Sequence, residues 1–271
     1  MTFSIVARSA DGESWGVAVA SKFLAVGSAV PAAVAGVGAI ATQAHANVAY
    51  KGLALAHLDD GATAAVALQR LLEEDEGRDQ RQVGIVDVDG NAASHTGPAC
   101  LDWAGSLTGE GYAIQGNILV GAEVAEAMET AWLGSNPEAP LGRRLLAALA
   151  AGDEAGGDSR GRQSAALLVV REGAGYDGGD DIAVDLRVDD HTAPIPELVR
   201  LLDLNDLYLT ASTEDEKVPV TPELADELEA FATGQGSRDF LSWVGSENYE
   251  MRVAEDLSWI DQRILATVRG E

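Results

Sequence analysis

The order of the predicted secondary structure is the feature that most restricts the fold of this chain. Strands are predicted first, in TFSIVAR, WGVAVAS and VAGVGAIATQ, where β-prone residues are separated by turn sequences. Two helical patterns follow, and then short strands over residues 81–116. Two more helices come next, the first of which is predicted to begin at Asn117, and a strand pair and a last helix complete the order. A parallel sheet would alternate single strands with single helices, whereas these elements are grouped by type. The sequence therefore predicts an α+β protein in which mainly antiparallel sheets are covered by helices in layers.

A change of composition near residue 210 predicts a second domain. The segment TASTEDEKVPVTPE is polar, acidic and proline-bearing, as is typical of a linker. Three short helical patterns follow it, and Trp243 and Trp259 indicate that they share a small core. We predict a main domain over residues 1–209, a linker over 210–220 and a small helical domain over 221–271.

The charge of the chain excludes two classes of partner. Its 271 residues include 44 acidic and 18 basic side chains, which gives a formal net charge of −26. Such a chain repels nucleic acids and anionic membrane surfaces, and its apolar runs fall short of the roughly 20 residues that span a bilayer. We therefore expect no nucleic-acid partner and no membrane partner.

The acidic surface also points to a cellular environment. Lysine occurs only at positions 22, 51 and 217. An acidic, lysine-poor surface is expected of a halophilic protein, because a salt-rich cytoplasm screens the self-repulsion; a merely acidic protein is the alternative. Cys100 is the single cysteine, so no intramolecular disulfide can form, and no signal peptide precedes the first strand pattern. A cytoplasmic location is expected.

Several common site motifs are absent from the sequence. It contains no P-loop and no HExxH pattern. The glycine-rich string GAGYDG, residues 173–178, is followed by a strand pattern, so it predicts a hairpin turn and no dinucleotide site. We expect no cofactor and no metal. A weaker alternative is that the acidic run between Asp180 and His191 binds a divalent cation.

Thr2 remains as a candidate nucleophile. Threonine is small enough to permit removal of Met1, which would leave a hydroxyl and a free α-amine on the same residue. The α-amine has an unperturbed pKa of about 7.7–8.0, so it can act as the base that activates its own hydroxyl. Position alone favours an ordinary β-prone residue behind the initiator.

A family resemblance adds to this interpretation. MTFSIVAR, WGVAVASKFLAVGSAVP, GVGAIATQA, HTGPACLDWAG, GYAIQGNIL, GRQSAALLV and DLRVDDH together resemble the DUF1028 family, over residues 2 to about 208. That family is of uncharacterised function and belongs by fold to the N-terminal nucleophile (Ntn) hydrolases. The resemblance implies a four-layer αββα sandwich with Thr2 in the nucleophile position. The C-terminal segment looks like a helical domain labelled as peptidoglycan-binding, a label that fits poorly if the source is a halophile.

The resemblance also implies the remaining site residues. Lys22 would hold the α-amine deprotonated, with an ordinary surface lysine as the alternative. Asn117 and a backbone amide at a helix start would bind an oxyanion, with a helix N-cap as the alternative or additional role. The substrate-binding candidates are Ser21, Gln43, Asn47, Thr96 and Gly116.

Two functional hypotheses follow from the resemblance. The first is an amidohydrolase that cleaves an amide bond of a small molecule or peptide, with Thr2 as the nucleophile. The second is a non-catalytic member of the fold that binds a small molecule or a protein, which retention of Met1 would favour. Dimerisation with a second copy is expected from the apolar content and because dimers are common in the superfamily.

Overall fold

The computed structural model describes residues 2–270, apart from the side chain of Asp177. The strands of the larger sheets are β1 (Thr2–Arg8), β2 (Ser14–Ser21), β3 (Pro31–Val34), β4 (Gly38–Ala44), β5 (Arg81–Asp87), β6 (Ala92–Thr96), β7 (Gly105–Gly109), β8 (Tyr112–Asn117), β9 (Ser164–Arg171) and β10 (Ile182–Val188). The helices among them are α1 (Val26–Ala29), α2 (Ala49–Asp59), α3 (Ala64–Glu73), α4 (Glu123–Gly134), α5 (Leu141–Glu154) and α6 (Pro194–Tyr208). The C-terminal part adds β11 (Lys217–Pro219), α7 (Pro222–Gly234), α8 (Phe240–Ser246), β12 (Trp259–Asp261) and α9 (Gln262–Arg269).

The first sheet has six strands in the order β10-β9-β2-β1-β8-β7, and every neighbouring pair is antiparallel. β1 lies in its interior between β2 and β8. In the register, Thr2 is opposite Ser21 on one side and Asn117 on the other. The first residue of β1 therefore lies beside the last residues of both neighbours, at one end of the sheet.

The second sheet has four antiparallel strands in the order β3-β4-β5-β6. Its register aligns Gln43, Gln82 and Thr96 across three strands. The single strand predicted for VAGVGAIATQ is wrong, because residues 35–37 form a turn that separates β3 from β4. Gly36 has a φ of 71° in this turn, a conformation that glycine adopts without steric cost.

The two sheets pack face to face through a core of small and β-branched side chains. Val6, Val17 and Val19 of the first sheet meet Ala39 and other apolar residues of the second. Helices α2 and α3 pack on the second sheet, and α4 and α5 pack on the first. The predicted α+β class with mainly antiparallel sheets is confirmed. Among residues 2–270, no helix has the length and apolar character that crossing a membrane requires.

The helix predicted to begin at Asn117 begins later. Asn117 is the last residue of β8, and α4 starts at Glu123. Between them, the backbone N–H of Ile118 donates to the Leu101 carbonyl at 2.9 Å, and that of Val120 donates to the Gly157 carbonyl at 3.3 Å. These loop contacts replace the first helical turn, so Asn117 is not a helix N-cap.

The chain divides into two compact units, Met1–Leu201 and Leu202–Glu271, and the division falls inside α6. The smaller unit has its own apolar core, formed by residues such as Leu228, Phe240, Trp243 and Ile260. The segment predicted as a linker, 210–220, contains β11, which pairs with β12. The last predicted helical pattern is accordingly a short strand followed by α9.

A buried charged group lies inside the smaller unit. Arg252 is 1% exposed and donates to the carboxylate of Asp261, which is 0% exposed, at 3.0 Å. The same guanidinium donates to the carbonyls of Asp206 and Leu207 in the last turn of α6. Arg252 therefore satisfies helix-end carbonyls that have no partner within the helix itself.

Candidate functional site

Polar side chains from both sheets converge at the end where β1 begins. Side chains alternate between the two faces of a strand, so Thr2 and Ser4 of β1 point to the same face, as do Gln115 and Asn117 of β8. This face opposes the second sheet. The residues that meet there are Thr2, Ser4, Gln43, Gln82, Gln115 and Asn117, and each is less than one tenth exposed.

Thr2 is held at the centre of this end of the sheet. It is 7% exposed, and its Oγ1 lies 3.0 Å from Oγ of Ser21. Its carbonyl oxygen accepts a hydrogen bond from Nε2 of Gln43 at 3.2 Å and lies 3.5 Å from Nδ2 of Asn117. The predicted removal of Met1 lies outside the described residues.

A chain of buried side-chain hydrogen bonds, here called the amide network, links Ser4, Gln43, Gln82, Gln115 and Asn117. Nε2 of Gln115 donates to Oγ of Ser4 at 2.6 Å, and that hydroxyl donates to Oε1 of Gln43 at 2.7 Å. Nε2 of Gln43 and Nδ2 of Asn117 each donate to Oε1 of Gln82 at 2.9 Å. The amide network therefore joins the two sheets directly beside Thr2.

Gln82 also connects the network to the backbone and to Thr96. Its Nε2 donates to the carbonyl of Gly116 at 2.7 Å, to Oγ1 of Thr96 at 3.0 Å and to the carbonyl of Gly105 at 3.2 Å. Thr96 and Gly116, both predicted site residues, thus reach the site through Gln82. Gly116 contributes a carbonyl and has no room for a side chain, because an added Cβ would lie 2.3 Å from Cδ1 of Leu119.

The sheets approach most closely where Gly84 faces Gln115. A Cβ at Gly84 would lie 2.0 Å from Oε1 of Gln115, and that oxygen is buried without a hydrogen-bond partner. A glycine inside a strand is typical of such close approach. Placing several uncharged amides in a dry interior is costly unless they bind one another, and a satisfied network holds its members in one arrangement. Gly84 thus permits the sheet spacing at which this network forms.

Backbone strain occurs next to two members of the amide network. Ala44, directly after Gln43, has a φ of 64°, and Ile118, directly after Asn117, has a φ of 52°. Residues with a Cβ adopt this left-handed region at a cost on the order of 1–3 kcal/mol, and such residues cluster at functional sites. The left-handed residues thus lie where β4 and β8 end, next to the amides that contact Thr2.

Two predicted residues are not brought to Thr2. Lys22 is exposed, its backbone N–H donates to the Asp158 carboxylate at 2.7 Å, and its Nζ donates to the carbonyl of Arg162 at 3.3 Å. Lys22 lies one residue beyond the end of β2, and both of these hydrogen bonds lead to the segment 158–162. The ammonium group has no recorded contact with Thr2 in the described part of the chain, so its catalytic role stays a prediction.

Asn47 belongs to a separate polar cluster around Asp75. The Asp75 carboxylate accepts from Nε of Arg81 at 2.8 Å, from the Tyr50 hydroxyl at 2.8 Å and from Nδ2 of Asn47 at 3.3 Å. The hydrogen bond from Arg81 holds the pKa of Asp75 well below its usual range, and burial together with Asp75 raises the pKa of Tyr50. Arg81 also donates to the carbonyl of His45 at 2.6 Å. The cluster thus ties the loop after β4 to the start of β5.

The acidic run does not assemble a cation site. Oδ1 of Asp180 accepts from the backbone N–H of Ile182, and Asp185 pairs with Arg187 at 3.0 Å. Within residues 2–270, no group of three or more His, Cys, Asp or Glu side chains is arranged to hold a metal ion. These carboxylates serve the local hairpin.

Sequence reasoning missed Ser4, Gln82 and Gln115. Each is a polar residue within a mostly buried strand, and Ser4 and Gln115 lie two positions from another polar residue of the same strand. That spacing of two along a strand is the signal that could have found them, because it places both polar side chains on one face.

These observations describe an α+β chain with a buried, uncharged polar site at the shared end of two antiparallel sheets. The sequence model described as a family of unknown function, DUF1028, matches residues 2–198. The chain therefore belongs to the DUF1028 family, as the sequence resemblance predicted.

A solved structure agrees with this assignment. The crystal structure of protein SPO2555 from Silicibacter pomeroyi, a DUF1028 protein, is 34% identical and superposes with a TM-score of 0.69, covering 76% of this chain and 86% of that one. Anbu, an ancestral β-subunit from Yersinia bercovieri, is 9% identical with a TM-score of 0.36, covering 74% of this chain and 93% of that one. A search of curated proteins found no match.

Proposed function

We propose that this protein is an Ntn-type amidohydrolase that cleaves an amide bond of a small molecule or peptide. In this proposal the main unit is a four-layer αββα sandwich, with α2 and α3 outside one sheet and α4 and α5 outside the other. Thr2 becomes the N-terminal residue when Met1 is removed. The observation that carries the proposal is a threonine at the start of an interior strand, with its hydroxyl bound to Ser21 and its carbonyl beside two buried amide donors.

The chemistry follows from having the hydroxyl and the amine on one residue. The α-amine, with an unperturbed pKa of about 7.7–8.0, accepts the Oγ1 proton directly or through a water. Oγ1 then forms a bond to the substrate carbonyl carbon. The carbon–nitrogen bond breaks as the α-ammonium returns the proton to the leaving nitrogen. Water attacks the resulting ester and releases the acid, which restores Thr2.

Asn117 is the side chain that we assign to the oxyanion. One Nδ2 hydrogen is held by Oε1 of Gln82 at 2.9 Å. The other faces the Thr2 carbonyl at 3.5 Å, which is too long for a strong hydrogen bond. That hydrogen is therefore free to bind a stronger acceptor, and one oxyanion donor contributes about 3 kcal/mol to transition-state stabilisation in other hydrolases.

The first experiment tests whether Thr2 is terminal and nucleophilic. Intact mass and N-terminal sequencing of the purified protein report the removal of Met1. A β-lactone then acts as the probe, because attack by Oγ1 opens the ring and leaves an ester whose mass and position are measured by peptide mass spectrometry. Thr2→Ser should keep the adduct at residue 2, and Thr2→Ala should lose it while its unfolding midpoint shows that it still folds.

The outcomes separate the two functional hypotheses. Removal of Met1 with an adduct at Thr2 supports the hydrolase. Removal of Met1 without an adduct in the wild type or in Thr2→Ser rejects Thr2 as a nucleophile. Retention of Met1 in essentially all molecules supports the alternative, a non-catalytic member of the fold that binds a small molecule or a protein, since the amine would then be blocked.

A further inference from the structure

We propose that Gln82 is a positioning residue of this site: it has no recorded hydrogen bond to Thr2 within residues 2–270, yet it fixes the orientation of the Asn117 amide beside Thr2 and helps to hold that of Gln43. The inference rests on the proposed function for its catalytic meaning. Gln82 is 0% exposed and lies in β5 of the second sheet, whereas Thr2 and Asn117 belong to the first. A residue of one sheet would thus set the geometry of the reacting group on the other.

The hydrogen bonds of Gln82 permit only one orientation of its carboxamide. Oε1 accepts from Gln43 and from Asn117, both at 2.9 Å. Nε2 faces three acceptors, the carbonyls of Gly105 and Gly116 and the hydroxyl of Thr96. Rotating the carboxamide by half a turn would place the NH₂ group against two NH₂ groups and the oxygen against two carbonyls. The orientation is therefore dictated by contacts from both sheets.

The orientation of the Gln82 carboxamide constrains the two side-chain amides that donate beside Thr2. A primary amide is planar, so fixing one N–H of a carboxamide also fixes the direction of the other. With one N–H directed to Gln82, the Gln43 amide reaches the Thr2 carbonyl at 3.2 Å and the Asn117 amide lies at 3.5 Å. Without Gln82, the Asn117 carboxamide could rotate about its terminal torsion, which is broad and roughly two-fold. The Gln43 carboxamide would keep its hydrogen bonds with Ser4 at 2.7 Å and with the Gln115 carbonyl at 3.3 Å.

Gln115 provides a matched control for the general effect of losing a buried glutamine. It has the same residue type and the same 0% exposure as Gln82. Its side chain donates to Ser4 at 2.6 Å and has no recorded hydrogen bond to Asn117 within residues 2–270. Gln115→Met should therefore cost stability without turning the Asn117 amide, whereas Gln82→Met should do both.

Gln82→Glu gives an isosteric variant whose outcome depends on pH. A protonated glutamic acid keeps an acceptor for Gln43 and Asn117 and can donate one hydrogen bond to the opposite carbonyls. An ionised carboxylate would place an oxygen against the carbonyls of Gly105 and Gly116. None of the recorded contacts of Gln82 in the described part of the chain carries a charge, so burial should raise the pKa of the introduced acid. The labelling rate of this variant relative to wild type should therefore fall as pH rises.

The test combines β-lactone labelling with crystal structures of the full-length variants. We expect Gln82→Met to lose roughly 10- to 100-fold in labelling rate per folded molecule, the scale of a small misplacement of catalytic groups. Its structure should show the Asn117 amide turned away from Thr2, and the structure of Gln115→Met should keep the Asn117 amide in its wild-type orientation. An unchanged Asn117 orientation in Gln82→Met, or the same turn of the amide in Gln115→Met, would overturn the inference.

The same experiments distinguish failure of the proposed amidohydrolase from failure of the positioning role of Gln82. If the wild type is not labelled at Thr2, the amidohydrolase is rejected, but the Asn117 orientation in the Gln82→Met crystal still decides whether Gln82 positions it. If Gln82→Met does not fold, Gln82→Leu decides, because it also lacks an acceptor for Asn117: its crystal structure should show the Asn117 amide turned away from Thr2, and the wild-type orientation would reject the positioning role.

Discussion

A methyl group at Gly84 is predicted to separate the two sheets at the site. In Gly84→Ala the new Cβ would lie 2.0 Å from Oε1 and 2.6 Å from Cδ of Gln115, far inside van der Waals contact. The Gln115 side chain is fully buried and held by Ser4, so it has little room to move. Overpacking of this kind typically costs about 1–3 kcal/mol, and breaking the Ser4 hydrogen bond adds about 1 kcal/mol. We expect a loss of about 2–4 kcal/mol in the free energy of unfolding.

The assay is urea unfolding followed by tryptophan fluorescence, which includes Trp15 in the core between the sheets. A double-mutant cycle with Gln115→Ala identifies the cause, because shortening Gln115 removes the atoms that the methyl group meets. The double variant should be less destabilised than the sum of the single variants by at least about 1 kcal/mol. The reasoning is refuted if Gly84→Ala lies within about 0.5 kcal/mol of wild type, the range of an ordinary surface change, or if the cycle is additive.

Two further predictions concern charged groups away from Thr2. Asp261→Asn should destabilise the smaller unit by about 3–5 kcal/mol, because it leaves the buried Arg252 guanidinium without its main counter-ion. Urea unfolding measures this loss, and Glu227→Gln, which breaks an exposed ion pair, is the control for which little change is expected. Equal losses in the two variants would contradict the prediction. Asp75→Asn should lower the unfolding midpoint at neutral pH. Since Arg81 depresses the folded-state pKa of Asp75, its contribution is present above the unfolded pKa of about 3.9 and is lost as pH falls further. The difference between wild type and Asp75→Asn should therefore narrow below about pH 4, and a constant difference from pH 7 to pH 3 would argue against this origin.

Local patterns predicted most of the strands and helices. TFSIVAR and WGVAVAS became β1 and β2 as expected, because alternating β-prone residues and a turn need no distant information. Their antiparallel pairing then places Ser21 beside Thr2. Lys22 follows the last residue of β2, and its contacts with Asp158 and Arg162 involve a distant segment that strand patterns do not identify.

The remaining features depend on contacts between distant segments. The sequence predicts that residues 117–122 begin a helix, but hydrogen bonds to the carbonyls of residues 101 and 157 hold them in a loop. Gln82 lies in β5, and only the packing of β5 against β8 brings it to Asn117. Periodicity identifies the face of a strand, but it does not state which face of another sheet lies opposite.

The absence of charge around Thr2 matters for the proposed mechanism. The chain carries 44 carboxylate side chains against 18 basic ones, yet no hydrogen-bond partner recorded for Thr2, Gln43, Gln82 or Asn117 within residues 2–270 is charged. A nearby carboxylate would stabilise the α-ammonium and raise the pKa of the amine, which would leave it protonated and unable to accept the Thr2 proton near neutral pH. Neutral amides bind and orient polar atoms without that effect. A terminal amine that serves as its own residue's base is therefore favoured by partners that carry no negative charge, and in so acidic a chain the amide network provides such partners.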